Sequence, residues 1–406
     1  MRILLGDRFF DGSGGGVAER TALVVDDEII LDVLPPEAAL DRYPDVEMTH
    51  FPGCTVLPGL VNAHSHLVMP GDGSKIEDAM EAGDDELLVR AARNARLSLG
   101  AGVTTLTDLG GRNDVTFSLR KAIEAGEMPG PRLILAGRAV TSPRGHCWQF
   151  NAEVDNLDEM KREVESLFAS GADLLKVMAN GGGTQGTDPF TPQFSDEMLA
   201  FAANMAKEAG KPAFAHCSCT TVVRQAVEAG FDVVVHGNFN RDREELDFDE
   251  DLVRRALDRG IRWNPTLEIT RCGVRGLEES GGDPESVAAR WAAYGRRTEE
   301  IARLRDLGVV MIAGSDEGWG GNTFGNFARE VEALTGAGYS NGDALRSATS
   351  WAAESLGIDD TVGTLVPGRR ADVLVVEGNP LEDIEDLARV RAVYLGGTRV
   401  ELDRLG

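Results

Sequence analysis

The chain has 406 residues, 42% of them hydrophobic, and its 67 acidic and 41 basic residues give a formal net charge of −26. Such a chain can bury a full core, and one large domain with a smaller second unit fits its length. An acidic surface repels phosphate backbones and anionic lipid head groups, which argues against nucleic acid or a membrane as the partner.

The N-terminal run MRILLGDRFFDGSGGG has too short an apolar stretch for a signal peptide. The sequence also contains no run of about 18 apolar residues, the length that a membrane-spanning helix needs. We therefore expect a cytoplasmic protein. The cysteines are odd in number and lack C-x-x-C spacing, so we expect reduced thiols rather than disulfides or a thiolate zinc site. They are Cys54, Cys147, Cys217, Cys219 and Cys272.

Both ends of the chain are rich in predicted strands. Residues 1–57 contain alternating segments such as TALVVDDEIILDVL, and residues 361–406 contain TLVPGRRADVLVVEGNP and RVRAVYLGGTRV, separated by turn residues. These patterns predict antiparallel strands. We expect the two ends to build one small β-sandwich, with residues 1–57 and 352–406 in that domain and residues 58–351 inserted as a second domain.

The middle of the chain repeats a short apolar strand, a polar strand end and an amphipathic helix, which is typical of parallel β/α units. In the stretch SDEMLAFAANMAKEAG, Ser195 suits a helix N-cap and Gly210 a helix stop. Eight strands are predicted, enough to close an α/β fold of the (β/α)8 TIM-barrel type. They are TVLPGLVNAH, GVTTLTDLG, RLILAGR, ADLLKVMAN, KPAFAHC, FDVVVHG, IRWNPTLEI and GVVMIAGSD.

Four of the six histidines lie at or near the ends of these strands. His64 and His66 end the first strand, His216 the fifth and His236 the sixth. Because the carboxyl ends of parallel strands converge on one face of a barrel, we expect the four rings to meet there. One histidine at a strand end is typically a hydrogen-bonded pocket residue, whereas four at equivalent ends indicate a metal site.

A carboxylate, Asp316 in AGSDEG, ends the eighth strand at the same face. Alone, an Asp after Gly-Ser is more typical of a turn or a helix cap. Beside four imidazoles it is expected to be a ligand, because a divalent cation needs anionic charge that neutral imidazoles do not supply. It could also take the proton of a metal-bound water and deliver it to a leaving group.

The fourth predicted strand, in GADLLKVMANGG, contains Lys176. Burial in an apolar strand favours the neutral amine over the ammonium. A neutral amine can add carbon dioxide to form a carbamate, whose two oxygens could bridge two metal ions; a snorkelling or salt-bridged lysine is the alternative. If Lys176 forms this carbamate, the site would hold two divalent metal ions, with zinc expected, and carbon dioxide bound as the carbamate of Lys176.

The segments PGLVNAHSHL, GVTTLTDLGG and VGTLVPGRRADVLVVEGNPL resemble the amidohydrolase superfamily, and the resemblance covers nearly the whole chain. It implies a binuclear member with a carboxylated lysine. His64, His66 and Asp316 would hold the more buried metal ion, and Lys176 would bridge both ions. His216 and His236 would hold the more exposed ion.

The segments GADLLKVMANGGGTQGTDP, AHC, VVHGN and NPT look most like the imidazolonepropionase-related branch, which contains Xaa-Pro and Xaa-Arg or Xaa-Lys dipeptidases. This implies that a metal-bridging hydroxide cleaves an amide bond of a dipeptide or an N-acyl amino acid, with Asp316 as general base and then general acid. The dipeptidases tend to place a Tyr after the histidine equivalent to His216, whereas this chain reads CSCTT. Hydrolysis of a carbamate, lactone or organophosphate ester is therefore the alternative, and a non-catalytic barrel scaffold is a remote one.

The same resemblance implies that His146, in TSPRGHCWQF, faces the substrate as a catalytic residue that donates to its carbonyl or binds a carboxylate. Arg144, Trp148 and Arg271 are weaker pocket candidates, since Arg suits an anionic group and Trp an apolar one. The glycines 181–183 would let the chain approach the substrate or would form a flexible loop. A small-molecule substrate is the expected partner, and a homo-oligomer is compatible with the sequence.

Overall fold

The computed structural model describes residues 1–14, 16–242 and 245–402. Residues 15 and 403–406 of the predicted sandwich and residues 243–244 of the predicted barrel lie outside the described residues. The N-terminal section contains β1 (Arg2–Phe10), β2 (Val17–Glu19), β3 (Ala22–Asp26), β4 (Ile29–Leu34), α1 (Pro36–Arg42) and β5 (Met48–Pro58).

The middle section alternates strands with helices. Its first part contains β6 (Leu60–Ser65), α2 (Ile76–Ala79), α3 (Asp84–Gly100), β7 (Val103–Asp108), α4 (Val115–Glu124), β8 (Arg132–Leu135), a 3-10 helix (Trp148–Phe150), α5 (Leu157–Ala169), β9 (Leu175–Met178) and α6 (Asp196–Glu208). It continues with β10 (Ala213–Cys217), α7 (Thr220–Ala229), β11 (Val233–His236), α8 (Glu250–Asp258), β12 (Arg262–Asn264), α9 (Leu267–Glu279), α10 (Pro284–Asp306), α11 (Ala328–Gly336), α12 (Asn341–Ser347) and α13 (Ser350–Ser355). The C-terminal section contains β13 (Val373–Glu377), a second 3-10 helix (Ile384–Ala388), β14 (Val390–Leu395) and β15 (Thr398–Arg399).

Strands from both ends of the chain join in one 8-stranded sheet of order β15-β14-β13-β5-β1-β3-β4, with β2 beside β1. The sheet has its own apolar cluster, to which Leu23, Val56 and Val375 contribute. Its pairs are antiparallel as predicted, except that β1 and β5 are parallel. Helix α1 connects β4 to β5, so that β5 can enter the sheet parallel to β1. A tight hairpin after β4 would instead reverse the direction of the chain.

The strands of the middle section form two parallel sheets, β6-β7-β8 and β12-β11-β10-β9. The segment predicted as the eighth strand is irregular, but Ala63 N donates to Ala313 O at 3.0 Å and Ile312 N donates to Trp263 O at 2.8 Å. It therefore lies between β6 and β12. Parallel bridges connect these parts at three pairs, Val140–Val177, Ser65–Glu317 and Trp263–Met311.

Two predicted strands have different bounds in the structure. The first is divided, because β5 ends at Pro58 in the terminal sheet and β6 begins at Leu60. A Cβ on the intervening Gly59 would lie 2.2 Å from Thr104 Oγ1, so the chain needs glycine where it changes sheets. The seventh, predicted to reach residue 269, ends at 264, since proline follows and Thr266 has a φ of 50°.

Other local predictions are confirmed. Ser195 Oγ accepts from Met198 N at the start of α6, and Gly210 follows the end of α6 with a φ of 66°. All five cysteines are free thiols. Among the described residues, no helix combines the length and the apolar character that a membrane crossing requires.

Candidate metal centre

A cavity of about 440 Å³ opens where the middle strands end. His64 lies in β6, Lys176 in β9 and His216 in β10, while His236 ends β11. The structure thus brings together side chains from four strands and from the loops beside them. The residues predicted as metal ligands or as catalytic all line this cavity, namely His64, His66, His146, Lys176, His216, His236 and Asp316.

Three of these side chains form a compact group of candidate ligands. Asp316 Oδ1 lies 3.3 Å from His64 Nε2 and 3.6 Å from His66 Nε2, and the two Nε2 atoms are 3.3 Å apart. All three residues are buried. Two imidazole nitrogens and a carboxylate oxygen converging in this way are a donor set that suits a divalent cation.

Hydrogen bonds orient the first two rings. Asn264 Nδ2 donates to the carbonyl of Ile312 at 3.0 Å, which turns Asn264 Oδ1 toward His64 Nδ1 at 2.8 Å. An amide oxygen only accepts, so His64 Nδ1 carries the proton and Nε2 presents its lone pair. His66 is held in the same way, because its Nδ1 lies 2.9 Å from the carbonyl oxygen of Gly110. Both rings therefore offer Nε2 as a metal ligand.

The other two histidines lie edge to face, with ring centroids 4.6 Å apart. His216 Nε2 lies 2.9 Å from Ser218 Oγ and 3.3 Å from the carbonyl oxygen of Gly181, which leaves Nδ1 free for a ligand. His236 Nδ1 lies 2.7 Å from Thr266 Oγ1, which leaves Nε2 free for a ligand.

The backbone of two candidate ligands is left-handed, with a φ of 59° at His236 and 56° at Asp316. Holding non-glycine residues in this region is costly and is common at functional sites.

Lys176 provides the clearest sign that something binds here. Its Nζ is buried and, among the described residues, has no hydrogen-bond partner; the same holds for Asp316 Oδ1. Burial lowers the pKa of Lys176 and raises that of Asp316. A buried amine with a weakened hold on its proton and an unpartnered carboxylate oxygen are the atoms that a metal ion or a carbamate would satisfy.

The imidazoles are neutral for the same reason. Burial lowers the pKa of His66 and of His146 to about 3, and lowers that of His64, His216 and His236 well below the usual 6.5. Metal ions bind the neutral imidazole, not the imidazolium. The residues present therefore fit a centre for divalent cations.

His146 lines the cavity beside the candidate ligands, with its ring centroid 4.7 Å from that of His216. A Cβ added to Gly182 would come within 2.5 Å of His146 Nε2. At this position the glycine run lets the backbone approach His146.

The structure places the three weaker candidates outside the cavity lining. The guanidinium of Arg144 is exposed and stacks on Trp148 at 4.0 Å from the ring centroid. Arg271 donates to Glu268 at 2.5 Å and to Glu332 at 3.0 Å, so its charge is already neutralised by protein carboxylates.

Sequence reasoning missed several residues that line the cavity, among them Lys75, Ser218 and Trp319. Ser218 follows His216 by two positions, a spacing that could have suggested it. Lys75 and Trp319 lie in loops after the first and eighth predicted strands, where hydrophobic periodicity gives no signal. Trp319 packs beside His66 and His146, with centroid distances of 5.8 and 5.7 Å.

The Amidohydrolase family matches residues 55–400 of the chain. The chain therefore belongs to this family, and the predicted resemblance to the amidohydrolase superfamily is confirmed. Ochratoxinase from Aspergillus niger is 26% identical over 410 residues, which cover 93% of this chain and 82% of that protein.

Solved structures agree with this assignment. A Xaa-Pro dipeptidase with methionine bound in its active site has a TM-score of 0.86 and 25% identity, covering 98% of this chain and 99% of that one. A prolidase in complex with N-methylphosphonate-L-proline has a TM-score of 0.84 and 27% identity, with the same coverage. The fold is thus the mixed α/β fold of prolidase-like amidohydrolases, and the chain is an enzyme that hydrolyses carbon–nitrogen bonds.

Proposed function

We propose that the enzyme is a binuclear metal-dependent amidohydrolase that cleaves the amide bond of a dipeptide or an N-acyl amino acid. The observation that carries the proposal is the pair of buried, unpartnered atoms, Lys176 Nζ and Asp316 Oδ1, in a cavity with four histidines. Burying an amine and a carboxylate oxygen without partners is costly in free energy, and a metal ion or a carbamate would satisfy both.

His64, His66 and Asp316 would hold the more buried metal ion, since their donor atoms all lie within 4.8 Å of one another. The second ion would take His216 and His236, with the carbamate of Lys176 bridging the two ions. Imidazole nitrogens with carboxylate-type oxygens suit zinc. When bound, the metals would lower the pKa of the attacking water and polarise the scissile carbonyl.

The residues of the chain divide the remaining work. With Oδ1 facing the Nε2 atoms of His64 and His66, Asp316 would accept the proton of the attacking water on Oδ2 and return it to the leaving nitrogen. His146 donates a hydrogen bond to the carbonyl oxygen as charge develops there. No covalent bond between enzyme and substrate is required.

The cavity lining favours a substrate with a carboxylate. Among the described residues that line the cavity, Lys75 is the one cationic side chain outside the proposed metal centre, and it makes no hydrogen bond or ion pair with another described residue. Ile269 and Trp319 add apolar surface. A free ammonium beside an apolar wall suits an amino acid carboxylate with an apolar side chain, and the prolidase ligand named above is itself an N-substituted amino acid.

Hydrolysis of a carbamate, lactone or organophosphate ester is the second candidate. Ser218, two residues after His216, lines the cavity. Dipeptidases of this branch tend to have a Tyr after the equivalent histidine, and its absence here favours the second candidate. A serine hydroxyl makes less contact with a peptide than a tyrosine would.

The architecture that holds this site is proposed to be a closed (β/α)8 barrel inserted in a small β-sandwich. The hydrogen bonds and bridges on both sides of the segment 308–316, together with the Val140–Val177 bridge, support closure between the two parallel sheets. The division into residues 1–57 with 352–406 and residues 58–351 stays a prediction.

Protein reconstituted with zinc and bicarbonate tests the proposed function. It should hydrolyse N-acyl amino acids and dipeptides faster than the matching C-terminal carboxamides. It should also hydrolyse them faster than esters or phosphotriesters. Activity confined to esters or phosphotriesters would support the second candidate instead. Metal far below one ion per chain after reconstitution, together with no hydrolysis in any class, would return the chain to a non-catalytic scaffold.

A further inference from the structure

The hydroxyl of Thr184, in the loop after β9, connects two backbone regions at the edge of the cavity. Cys147 N donates to Thr184 Oγ1 at 2.9 Å, and His146 Nδ1 lies 2.9 Å from the same oxygen. Thr184 is 2% exposed and His146 is 5% exposed. Water therefore has little access to this pair of hydrogen bonds.

The contacts decide where the hydroxyl proton goes. The backbone N–H of Cys147 is a donor, so it occupies a lone pair of Thr184 Oγ1 and leaves the proton to find an acceptor. The Cys147 thiol is also within reach of this hydroxyl, but sulfur is a weak acceptor, so His146 Nδ1 at 2.9 Å is the strong acceptor among the described contacts. If Nδ1 carried the imidazole proton, the hydroxyl would face two donors and its own proton would be buried without a partner.

The rest of the surroundings hold the ring without selecting a tautomer. Cys147 Sγ lies 3.6 Å from His146 Nδ1 and 3.7 Å from Nε2, so the sulfur contacts both nitrogens equally. Gly182 packs so closely against the His146 ring that an added Cβ would lie 2.5 Å from Nε2. Trp319 also lies beside the His146 ring. Thr184 is thus the residue that distinguishes the two nitrogens.

We propose that Thr184 is a positioning residue that keeps the imidazole proton of His146 on Nε2, where the N–H can donate to the substrate carbonyl. The inference rests on the role proposed for His146 in the reaction, but the tautomer itself does not depend on any substrate. A neutral imidazole has one N–H, and fixing it on Nε2 spares the reaction a tautomer change.

The test compares the wild-type chain with Thr184→Val, which keeps the shape without the hydroxyl, and Thr184→Ser, which keeps the hydroxyl. NMR of the full chain labelled with 15N at histidine reports the tautomer, and the spectrum of His146→Gln assigns the His146 signals. We expect Nε2–H in wild type and T184S, and a loss of that preference in T184V. In reconstituted enzyme, kcat of T184V should fall about 10- to 100-fold with little change in KM, and T184S should restore it.

An Nδ1–H tautomer in the wild-type chain overturns the proposal, and this measurement needs no variant to fold. So does a folded T184V that keeps Nε2–H together with the wild-type kcat. Failure of the proposed function gives a different result, with the expected tautomers in all three proteins but no hydrolysis of N-acyl amino acids or dipeptides.

Discussion

Asn264 Oδ1 lies 2.8 Å from His64 Nδ1 and fixes the proton of that ring on the side away from the cavity. Asn264→Leu removes the acceptor and lets His64 rotate or change tautomer. Residues that hydrogen-bond to a metal-ligating histidine typically contribute a factor of about 10 to 100 to metal affinity. We therefore expect zinc affinity to fall about 10- to 100-fold. Competition with a chromophoric chelator measures the change.

A matched control is Asn379→Leu, since Asn379 is also buried but follows β13 in the terminal sheet, where its Oδ1 accepts from Leu381 N at 3.3 Å. Both variants should lower the melting temperature. If Asn379→Leu loses as much zinc affinity as Asn264→Leu, the loss reflects general destabilisation and not the orientation of His64.

The sequence predicted which side chains would meet in this cavity because they share one local signal. His64, His216, His236 and Asp316 each lie at or near a predicted strand end, and parallel strands bring such ends together whatever the loops do. Lys176 was found because a lysine in an apolar strand is costly in free energy.

Other residues could not be placed this way, because long-range contacts decide their environment. Arg271 was a pocket candidate by residue type, but its guanidinium binds Glu268 and Glu332 outside the cavity lining. Glu332 lies in α11, far from Arg271 in the sequence. Lys75 lies in a loop whose path depends on the loops around it. The irregular segment 308–316 and the early end of β12 at residue 264 likewise depend on neighbouring strands and on one proline.

Replacing Lys176 tests the proposed bridge. Lys176→Met keeps much of the side-chain volume but forms no carbamate, so we expect it to bind at most one metal ion per chain. Its kcat should fall by at least about 100-fold, as expected when a group stabilising the transition state is lost. Elemental analysis measures the metal, and 13C NMR after labelling with 13C-bicarbonate should show a carbamate signal in wild type but not in Lys176→Met.

The exposed Lys207 on α6 provides the control, since Lys207→Met should keep the carbamate signal, both metal ions and full activity. Two bound metal ions and wild-type kcat in Lys176→Met would remove the bridging role from the proposal.

Lys75 is expected to recognise a substrate carboxylate at the cavity mouth. Lys75→Ala should raise KM for N-acyl amino acids about 2- to 5-fold while kcat changes little, because a solvated ion pair with substrate contributes binding and not chemistry. For the matching C-terminal carboxamides KM should not change, and Lys75→Arg should keep most of the effect. An equal rise in KM for acids and carboxamides would show that Lys75 acts on cavity shape and not on charge.

The neutral histidines should make metal-free protein sensitive to acid. Burial lowers the pKa of His66 from 6.5 to about 3, so between these values the unfolded chain binds a proton that the native chain does not. The free energy of unfolding therefore falls as pH falls, by about 1 to 2 kcal/mol from this ring between pH 6.5 and pH 5, and is independent of this ring above about pH 7.5. Urea unfolding with chelator present should show a shallower decline in His66→Gln, which lacks this titration. Parallel declines in the two proteins would mean that His66 is not held neutral by burial.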